Sequence, residues 1–167
     1  MLTIPSSFDD LSMAAYEPAD AASEAAATDG DHCDSMRILR DAGLQPTRQR
    51  LLLAQLLFGS DDRHVTAESL HAEAGEAGAI ISLATVYNTL NQFTEVGLLR
   101  RIGIGGSVAF FDTNTAPHPH FFFVDEGQLC DMPASGVDLE RMPQPLPGYA
   151  IARVDVVVRL RRKQAET

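Results

Sequence analysis

The 167-residue sequence has two cysteines, no tryptophan, and 13 basic residues against 23 acidic ones. Cys33 and Cys130 alone can form neither a disulfide framework nor a four-thiolate zinc site. No apolar run is long enough to cross a bilayer, and the N-terminus lacks the basic flank and apolar core of a secretion signal. We therefore expect a cytoplasmic protein with no membrane partner, folded as one domain or two small ones.

The shortage of basic charge is concentrated at one end of the chain. Eight of the 23 acidic residues lie in residues 1–34, which contain no Lys or Arg, so the remainder carries 15 acidic against 13 basic residues. We interpret residues 1–34 as a disordered acidic extension. With so balanced a charge, the remainder could bind a polyanion such as nucleic acid only through a local concentration of basic side chains, so we expect the arginines of residues 35–102 to lie together on one face.

Residues 82–97 predict a helix with two different faces. Ser82 is a plausible N-cap and Gly97 a plausible stop. Apolar side chains recur at helical spacing at Leu83, Val86, Tyr87, Leu90 and Phe93. Polar, uncharged side chains occupy the other face at Thr85, Asn88, Thr89 and Gln92. Asn and Gln can pair bidentately with adenine, so this helix predicts insertion into a DNA major groove. Tyr87 either contacts a thymine methyl group or phosphate, or packs in the core.

The segments around this helix indicate a winged helix-turn-helix. Helices are predicted at 36–42, 47–58 and 66–76, and short strands at 98–101 and 108–111 flank a glycine-rich turn. Arg48 and Arg50 lie in the first turn of the second helix, and Arg100 and Arg101 lie at the base of the wing. We expect these arginines to contact DNA phosphates. An amphipathic helix packed on a hairpin, with no DNA role, is the alternative.

Residues 113–163 change to a strand pattern. Strands are predicted at 120–124, 128–132 and 149–160, with a short helix at 136–141. The last strand has one wholly apolar face from Ala150 to Leu160, which needs a cover. We expect a second copy of the chain to provide it. The predicted fold is therefore α+β, with a winged-helix DNA-binding domain at 35–112 and a small α/β dimerisation and sensing domain at 113–163.

A carboxylate and two imidazoles lie within nine residues, at Asp112, His118 and His120. Residues two apart in an extended segment point to the same side, so both histidines can face one metal ion. Asp112 can reach the same point, and Asp131 lies on the strand paired with that of His120. Nitrogen and oxygen ligands suit Fe, Mn or Zn. His64 is, from the residues alone, an ordinary loop histidine.

Four segments resemble the ferric uptake regulator family of metal-responsive repressors. They are GLQPTRQR at 43–50, HVTAESL at 64–70, SLATVYNTLNQFTEVGLL at 82–99 and the His-Pro-His at 118–120. The resemblance covers about residues 36–162 and implies a homodimer that binds double-stranded operator DNA and is not an enzyme. It also implies a regulatory metal site whose ligands fall on His64, Asp112, His118, His120 and Asp131.

The sequence departs from the family at the structural zinc. The first cysteine pair usual in the family is replaced by Phe123 and Glu126, so we expect apolar packing around 121–123 instead. This cysteine-poor form is similar to the iron response regulator branch, which senses haem and controls genes of haem synthesis and iron uptake. That similarity implies His118 and His120 as haem ligands. Cys33 is a further haem candidate, although Asp34 replaces the proline that follows such a cysteine in relatives.

Three alternatives stay open at this point. A peroxide or manganese sensor of the same family would use the same hard ligands. A non-haem iron oxygenase also uses two histidines and a carboxylate, but the chain offers few strands for a barrel and no glycine-rich cofactor loop. The third alternative is a metal-independent regulator in which the histidines are only structural.

Overall fold

The computed structural model describes residues 29–106, 108–133 and 144–163, with the side chains of 29–33 excepted. Within these residues the helices are α1 (Asp29–Asp41), α2 (Arg48–Phe58), α3 (Ala67–Glu76) and α4 (Leu83–Glu95). The strands are β1 (His64–Val65), β2 (Arg100–Gly103), β3 (Ala109–Asp112), β4 (His120–Phe123), β5 (Gln128–Asp131) and β6 (Val157–Leu160). They form two three-stranded sheets, ordered β1-β3-β2 and β5-β4-β6. This architecture confirms the α+β fold class.

Side-chain caps fix the starts of three helices. The Thr47 hydroxyl accepts from the backbone N–H of Arg50 at 3.3 Å, and the Ser82 hydroxyl accepts from that of Thr85 at 3.2 Å. Thr66 and Ser69 form a reciprocal capping box at the start of α3. Each cap satisfies an N–H group that has no partner within the helix, and these starts are the predicted ones. Gly97, with φ of 80°, follows α4.

Helix α1 begins earlier than the predicted start at residue 36. It starts at Asp29, so part of the segment interpreted as an acidic extension is helical. Residues 29–35 are mostly polar and show no apolar periodicity, so the sequence pattern does not predict this first part of α1. The side chain of Cys33 lies outside the described residues, as does the predicted helix at 136–141.

One apolar core holds the helices together and fixes the orientation of α4. Val86, Leu90 and Phe93 of α4 are fully buried with side chains of the other helices and with Val65 and Phe111 of the first sheet. Burying each large side chain contributes about 1.5–3 kcal/mol. Thr89, expected on the polar face, is buried within this arrangement, and Leu83, expected on the apolar face, is partly exposed.

A second apolar cluster connects the wing to the second sheet. The wing contributes Ile102 of β2, Ile104 just after β2, and Phe110 of β3. These side chains are buried against Phe122 of β4 and Leu129 of β5. The rings of Phe110 and Phe122 meet edge to face with centroids 6.1 Å apart. Apolar packing at this position agrees with the expectation drawn from the missing cysteines.

The last strand is shorter than predicted. Residues 149–156 are not a strand, and β6 pairs in parallel with β4 only from His120 opposite Val157 to Phe123 opposite Leu160. Strand β4 is four residues long, and its first N–H group, that of His120, reaches one residue further back, to the Val156 carbonyl. The backbone before that point makes contacts outside the second sheet; the Val154 carbonyl, for example, accepts from the Arg100 guanidinium.

Among the described helices, none has both the length and the apolar character needed to cross a membrane.

Candidate metal centre and nucleic-acid interface

Short strands from both sheets bring the five predicted metal ligands together. In the first sheet His64 lies opposite Asp112, and in the second His120 lies opposite Asp131. His118 lies two residues before the start of β4 on the same side. One ligand atom from each of the five residues lies within 4.8 Å of all the others. Strand β1, which places His64, is only two residues long and has no sequence signal of its own.

The three imidazoles converge on the two carboxylates. His118 Nε2 is 2.8 Å from Asp131 Oδ1 and 3.2 Å from Asp112 Oδ2. His64 Nε2 is 3.0 Å from the same Asp131 oxygen, and His120 Nε2 is 3.3 Å from the same Asp112 oxygen. The Asp112 side chain is fully buried, whereas that of Asp131 is 47% exposed. The cluster is therefore closed to solvent at Asp112 and open to solvent at Asp131, where an ion can enter.

The cluster fits a divalent metal ion. Three buried imidazole nitrogens have no hydrogen-bond partner within the part of the chain described: His64 Nε2, His118 Nε2 and His120 Nδ1. The carboxylate oxygens near the first two are close enough but lie at angles unsuited to a hydrogen bond. A buried polar group without a partner costs about 1–3 kcal/mol. A metal ion would satisfy the Nε2 lone pairs of His64 and His118, both of which face Asp112 and Asp131. Three imidazoles and two carboxylates suit Fe, Mn or Zn.

Electrostatics also favours neutral imidazole at His64. Burial lowers the pKa of His64 and outweighs the opposing attraction of Asp112 and Asp131. Because only the neutral ring has a lone pair for a metal, a lowered pKa keeps His64 competent to bind at mildly acidic pH. His118 is oriented by a further contact, since its Nδ1 donates to the Ala116 carbonyl at 2.8 Å and leaves Nε2 facing the carboxylates.

The exposed face of α4 carries some of the residues predicted to read DNA. Asn88 is exposed, and Thr85 is half-buried with its hydroxyl 2.8 Å from that of Ser82. The Gln92 side-chain oxygen accepts from Arg50 through Nε at 3.1 Å and Nη2 at 2.8 Å. Reading adenine with Gln92 would therefore require that pair to separate, whereas Asn88 is available as it stands.

The structure shows the packing predicted for Tyr87, while its contact with DNA stays a prediction. Its ring is partly buried against the helical core, and its hydroxyl donates to the Glu68 carboxylate of α3 at 2.7 Å. This hydrogen bond raises the pKa of Tyr87 and lowers the pKa of Glu68. The phenol thus fastens α4 to α3.

The predicted phosphate contact of Arg100 does not fit the structure. Burial alternates along β2, so Arg100 and Ile102 point inward while Arg101 and Gly103 point outward. The Arg100 side chain is 7% exposed and pairs with Asp155 at 2.7 Å. The prediction that both arginines face outward is wrong for Arg100, because neighbouring residues of a strand face opposite sides.

The other arginines are divided in the same way. Arg48 and Arg101 are exposed. Arg63, in contrast, pairs with Glu73 at 2.6 Å and donates to the Leu56 carbonyl. The expectation that the arginines of residues 35–102 lie together on one face is therefore wrong, because two of them stabilise the fold.

A winged helix whose sheet shares a histidine and aspartate cluster with a second sheet defines a class of metal-binding transcriptional regulator. The chain matches the model of the Ferric uptake regulator family over residues 41–144. It is 31% identical to the ferric uptake regulation protein of Pseudomonas aeruginosa over 130 residues, which are 75% of this chain and 96% of that protein. The chain belongs to the ferric uptake regulator family, whose members are metal-responsive transcriptional regulators and not enzymes. Family membership rules out the oxygenase alternative.

Solved structures agree with this assignment. The ferric uptake regulator from Pseudomonas aeruginosa with manganese matches with a TM-score of 0.59 and 30% identity, over 78% of this chain and 98% of that one. The regulator from Francisella tularensis with iron matches with a TM-score of 0.62, over 72% of this chain and 93% of that one. At 20% identity, the second likeness shows the fold alone.

Proposed function

We propose that this chain is an iron- and haem-responsive DNA-binding regulator, mainly a repressor, of genes for haem synthesis and iron homeostasis, acting as a cytoplasmic homodimer. The observation that carries the proposal is the position of the histidine and aspartate cluster between the two sheets. His64 and Asp112 come from the winged-helix side, and His118, His120 and Asp131 come from the other. A divalent ion held there would cross-link the two parts of the chain.

This placement gives a route from ligand to DNA. Asp112 ends the wing strand β3, and His64 precedes α3, so both move with the winged helix. His120 and Asp131 move with the second sheet. Metal binding favours the arrangement of the winged helix and the second sheet in which the ligands from both reach the ion. The fraction of molecules in that arrangement rises only by as much as the metal binds it more tightly than the other arrangements.

We assign DNA reading to Asn88, Gln92 and Thr85, and phosphate contacts to Arg48, Arg50 and Arg101. The first turns of α2 and α4 contain no acidic residue, so their positive ends are free of a local counter-charge. Such helix ends attract phosphate. We propose that two copies of α4 enter successive major grooves of a partly palindromic, AT-rich operator.

Exposed apolar side chains support the homodimer and the role of residues 113–163 in forming it. Leu146, Tyr149, Ile151 and Val158 are between 36% and 75% exposed, and all lie in the last part of the described chain. Several large exposed apolar side chains in one short segment are typical of an interface. A second copy of the chain is the cover that we propose.

The proposal extends to haem, whose iron His118 would hold. A cavity of about 480 Å³ adjoins His118, lined by Leu99, Pro117 and Val154 among others. The His118 and His120 ring centroids are only 4.3 Å apart at 46°, which leaves no room for a planar macrocycle between them. His118 and His120 together would therefore not hold one haem iron in this arrangement, and haem and a metal ion would compete for His118.

The test is a fluorescence-anisotropy titration of purified protein against an AT-rich inverted repeat and a scrambled duplex, with Mn²⁺ as an air-stable stand-in for Fe²⁺. We expect Asn88→Ala to weaken operator preference by about 1–3 kcal/mol, or 5- to 150-fold. Asn91→Ala, an exposed asparagine on the same helix, is the matched control and should have little effect. Equal preference in wild type and Asn88→Ala would refute the assignment of α4.

A haem titration separates the proposal from the alternative of a peroxide or manganese sensor. We expect haem to develop an absorbance band that His118→Ala abolishes, and to release the operator from the wild-type protein. Operator binding that responds to Mn²⁺ but not to haem would favour the alternative. Binding unchanged by either ligand would support a metal-independent regulator.

A further inference from the structure

Arg100 lies beside the metal centre without being one of its ligands. It faces Asp112 across the β2–β3 pair, and its side chain is 7% exposed. Its Nη1 donates to the Ala116 carbonyl at 2.8 Å, and its Nη2 donates to Asp155 Oδ1 at 2.7 Å and to the Val154 carbonyl at 3.2 Å. A buried guanidinium with three acceptors is held in one orientation, and it holds its partners in turn.

The Ala116 carbonyl is shared between Arg100 and His118. His118 Nδ1 lies 2.8 Å from the same oxygen that accepts from Arg100. A carbonyl oxygen only accepts, so Nδ1 carries the ring proton of neutral His118 and Nε2 keeps its lone pair. That lone pair faces Asp112 and Asp131. Arg100 therefore fixes the group that orients a candidate metal ligand.

The C-terminal segment, residues 153–160, is at the other end of these contacts. Burial alone would raise the pKa of Asp155, but hydrogen bonds from Arg100 and Arg153 outweigh burial and lower it. Arg153 also donates to the Arg101 carbonyl at 2.5 Å. The Val156 carbonyl accepts from the His120 N–H at 2.9 Å. The segment thus contacts the wing strand and the strand of His120 at the same time.

We propose that Arg100 is a positioning residue that couples metal binding to the docking of the C-terminal segment against β2. It acts through the Ala116 carbonyl and not by coordination. The inference rests on the proposed metal-binding function of the cluster. Groups that orient a ligand in this way change metal affinity by about 10- to 100-fold when they are removed.

Arg100→Gln separates positioning from charge, because the two effects have opposite signs. Removing a positive charge near a cation site strengthens cation binding by Coulomb's law. Loss of the Ala116 contact weakens it by releasing His118. We expect Mn²⁺ affinity, measured by calorimetry, to fall about 10-fold or more. Arg101→Gln, which removes the same charge from the neighbouring exposed residue, should leave affinity within about twofold or raise it slightly.

Two further measurements report on the coupling itself. In metal-free protein, imidazole ¹⁵N shifts should show His118 protonated at Nδ1 in wild type and a mixture of tautomers in Arg100→Gln. In wild type, Mn²⁺ should slow hydrogen exchange in the C-terminal segment, and Arg100→Gln should reduce this protection. Asp155→Asn disrupts the same Arg100–Asp155 contact from the other side. The double variant with Arg100→Gln should therefore lose less Mn²⁺-binding free energy than the two single variants lose in sum.

Equal Mn²⁺ affinity in Arg100→Gln and Arg101→Gln, with circular dichroism showing both folded, would overturn the inference. So would an unchanged His118 tautomer. If Arg100→Gln does not fold, Asp155→Asn takes its place, and unchanged affinity and exchange in that variant would overturn the inference equally. Wild-type protein that binds none of Mn²⁺, Fe²⁺ or Zn²⁺ would instead refute the proposed function, while the metal-free tautomer measurement would still decide the role of Arg100.

Discussion

Phe122→Ala tests whether apolar packing, and not a thiolate zinc site, fastens the wing to the second sheet. Phe122 is 8% exposed and lies in the cluster with Ile102, Phe110 and Leu129. Truncating a buried Phe to Ala costs about 3–5 kcal/mol. That range includes the edge-to-face contact with Phe110, worth about 0.5–1.5 kcal/mol. The guanidinium carbon of Arg159, 5.8 Å from the ring centroid, adds about 0.5–1 kcal/mol.

We therefore expect the free energy of unfolding to fall by about 4 kcal/mol, a large fraction of the roughly 5–15 kcal/mol typical of a domain. The assay is urea unfolding followed by circular dichroism, with a chelator present so that metal binding does not contribute. Phe121→Ala, half-buried in the same strand and outside the cluster, is the matched control and should lose less than half as much. Equal losses in the two variants, or a loss below about 1 kcal/mol in Phe122→Ala, would refute the reasoning.

Three further predictions concern the titratable groups. Asp112→Asn should lower Mn²⁺ affinity at least tenfold, about 1.4 kcal/mol, since it removes the buried carboxylate shared by the imidazoles; calorimetry showing unchanged affinity would remove Asp112 from the site. Because the pKa of His64 is lowered on folding, the metal-free protein should lose stability as pH falls below about 6.5. His64→Gln should reduce that loss between pH 7.5 and 5.5 in urea unfolding, and an identical pH profile would contradict the shift. Burial and then Asp131 raise the pKa of the Cys130 thiol, so in Cys33→Ser native protein Ellman's reagent should react at least about tenfold more slowly than in urea; equal rates would contradict this.

The helices of the winged domain could be predicted because their signals are local. The caps at Thr47, Thr66 and Ser82 and the apolar spacing of α4 act within a few residues. Strand β1 could not be predicted in this way, because two residues become a strand only through pairing with β3. The shortening of the last strand depends similarly on its pairing with β4, which is distant in sequence.

The candidate site was only partly readable from the residues. The spacing of His118 and His120 placed two imidazoles together, and the predicted hairpin placed Asp131 on the strand paired with that of His120. His64 joins them through the pairing of β1 with β3, and only the resemblance implied that it would. Arg100 shows the opposite error, because two adjacent arginines suggested a basic surface and the strand turned one of them inward. Pattern alone does not say which side of a four-residue strand faces the protein interior.

The decisive measurement is operator binding with and without metal. Purified protein is titrated onto an AT-rich inverted repeat and a scrambled duplex by fluorescence anisotropy, with a chelator or with Mn²⁺. We expect two protomers per duplex, and a preference for the repeat that changes with metal in wild type but not in Asp112→Asn. A monomer that binds both duplexes equally, with or without metal, would contradict it.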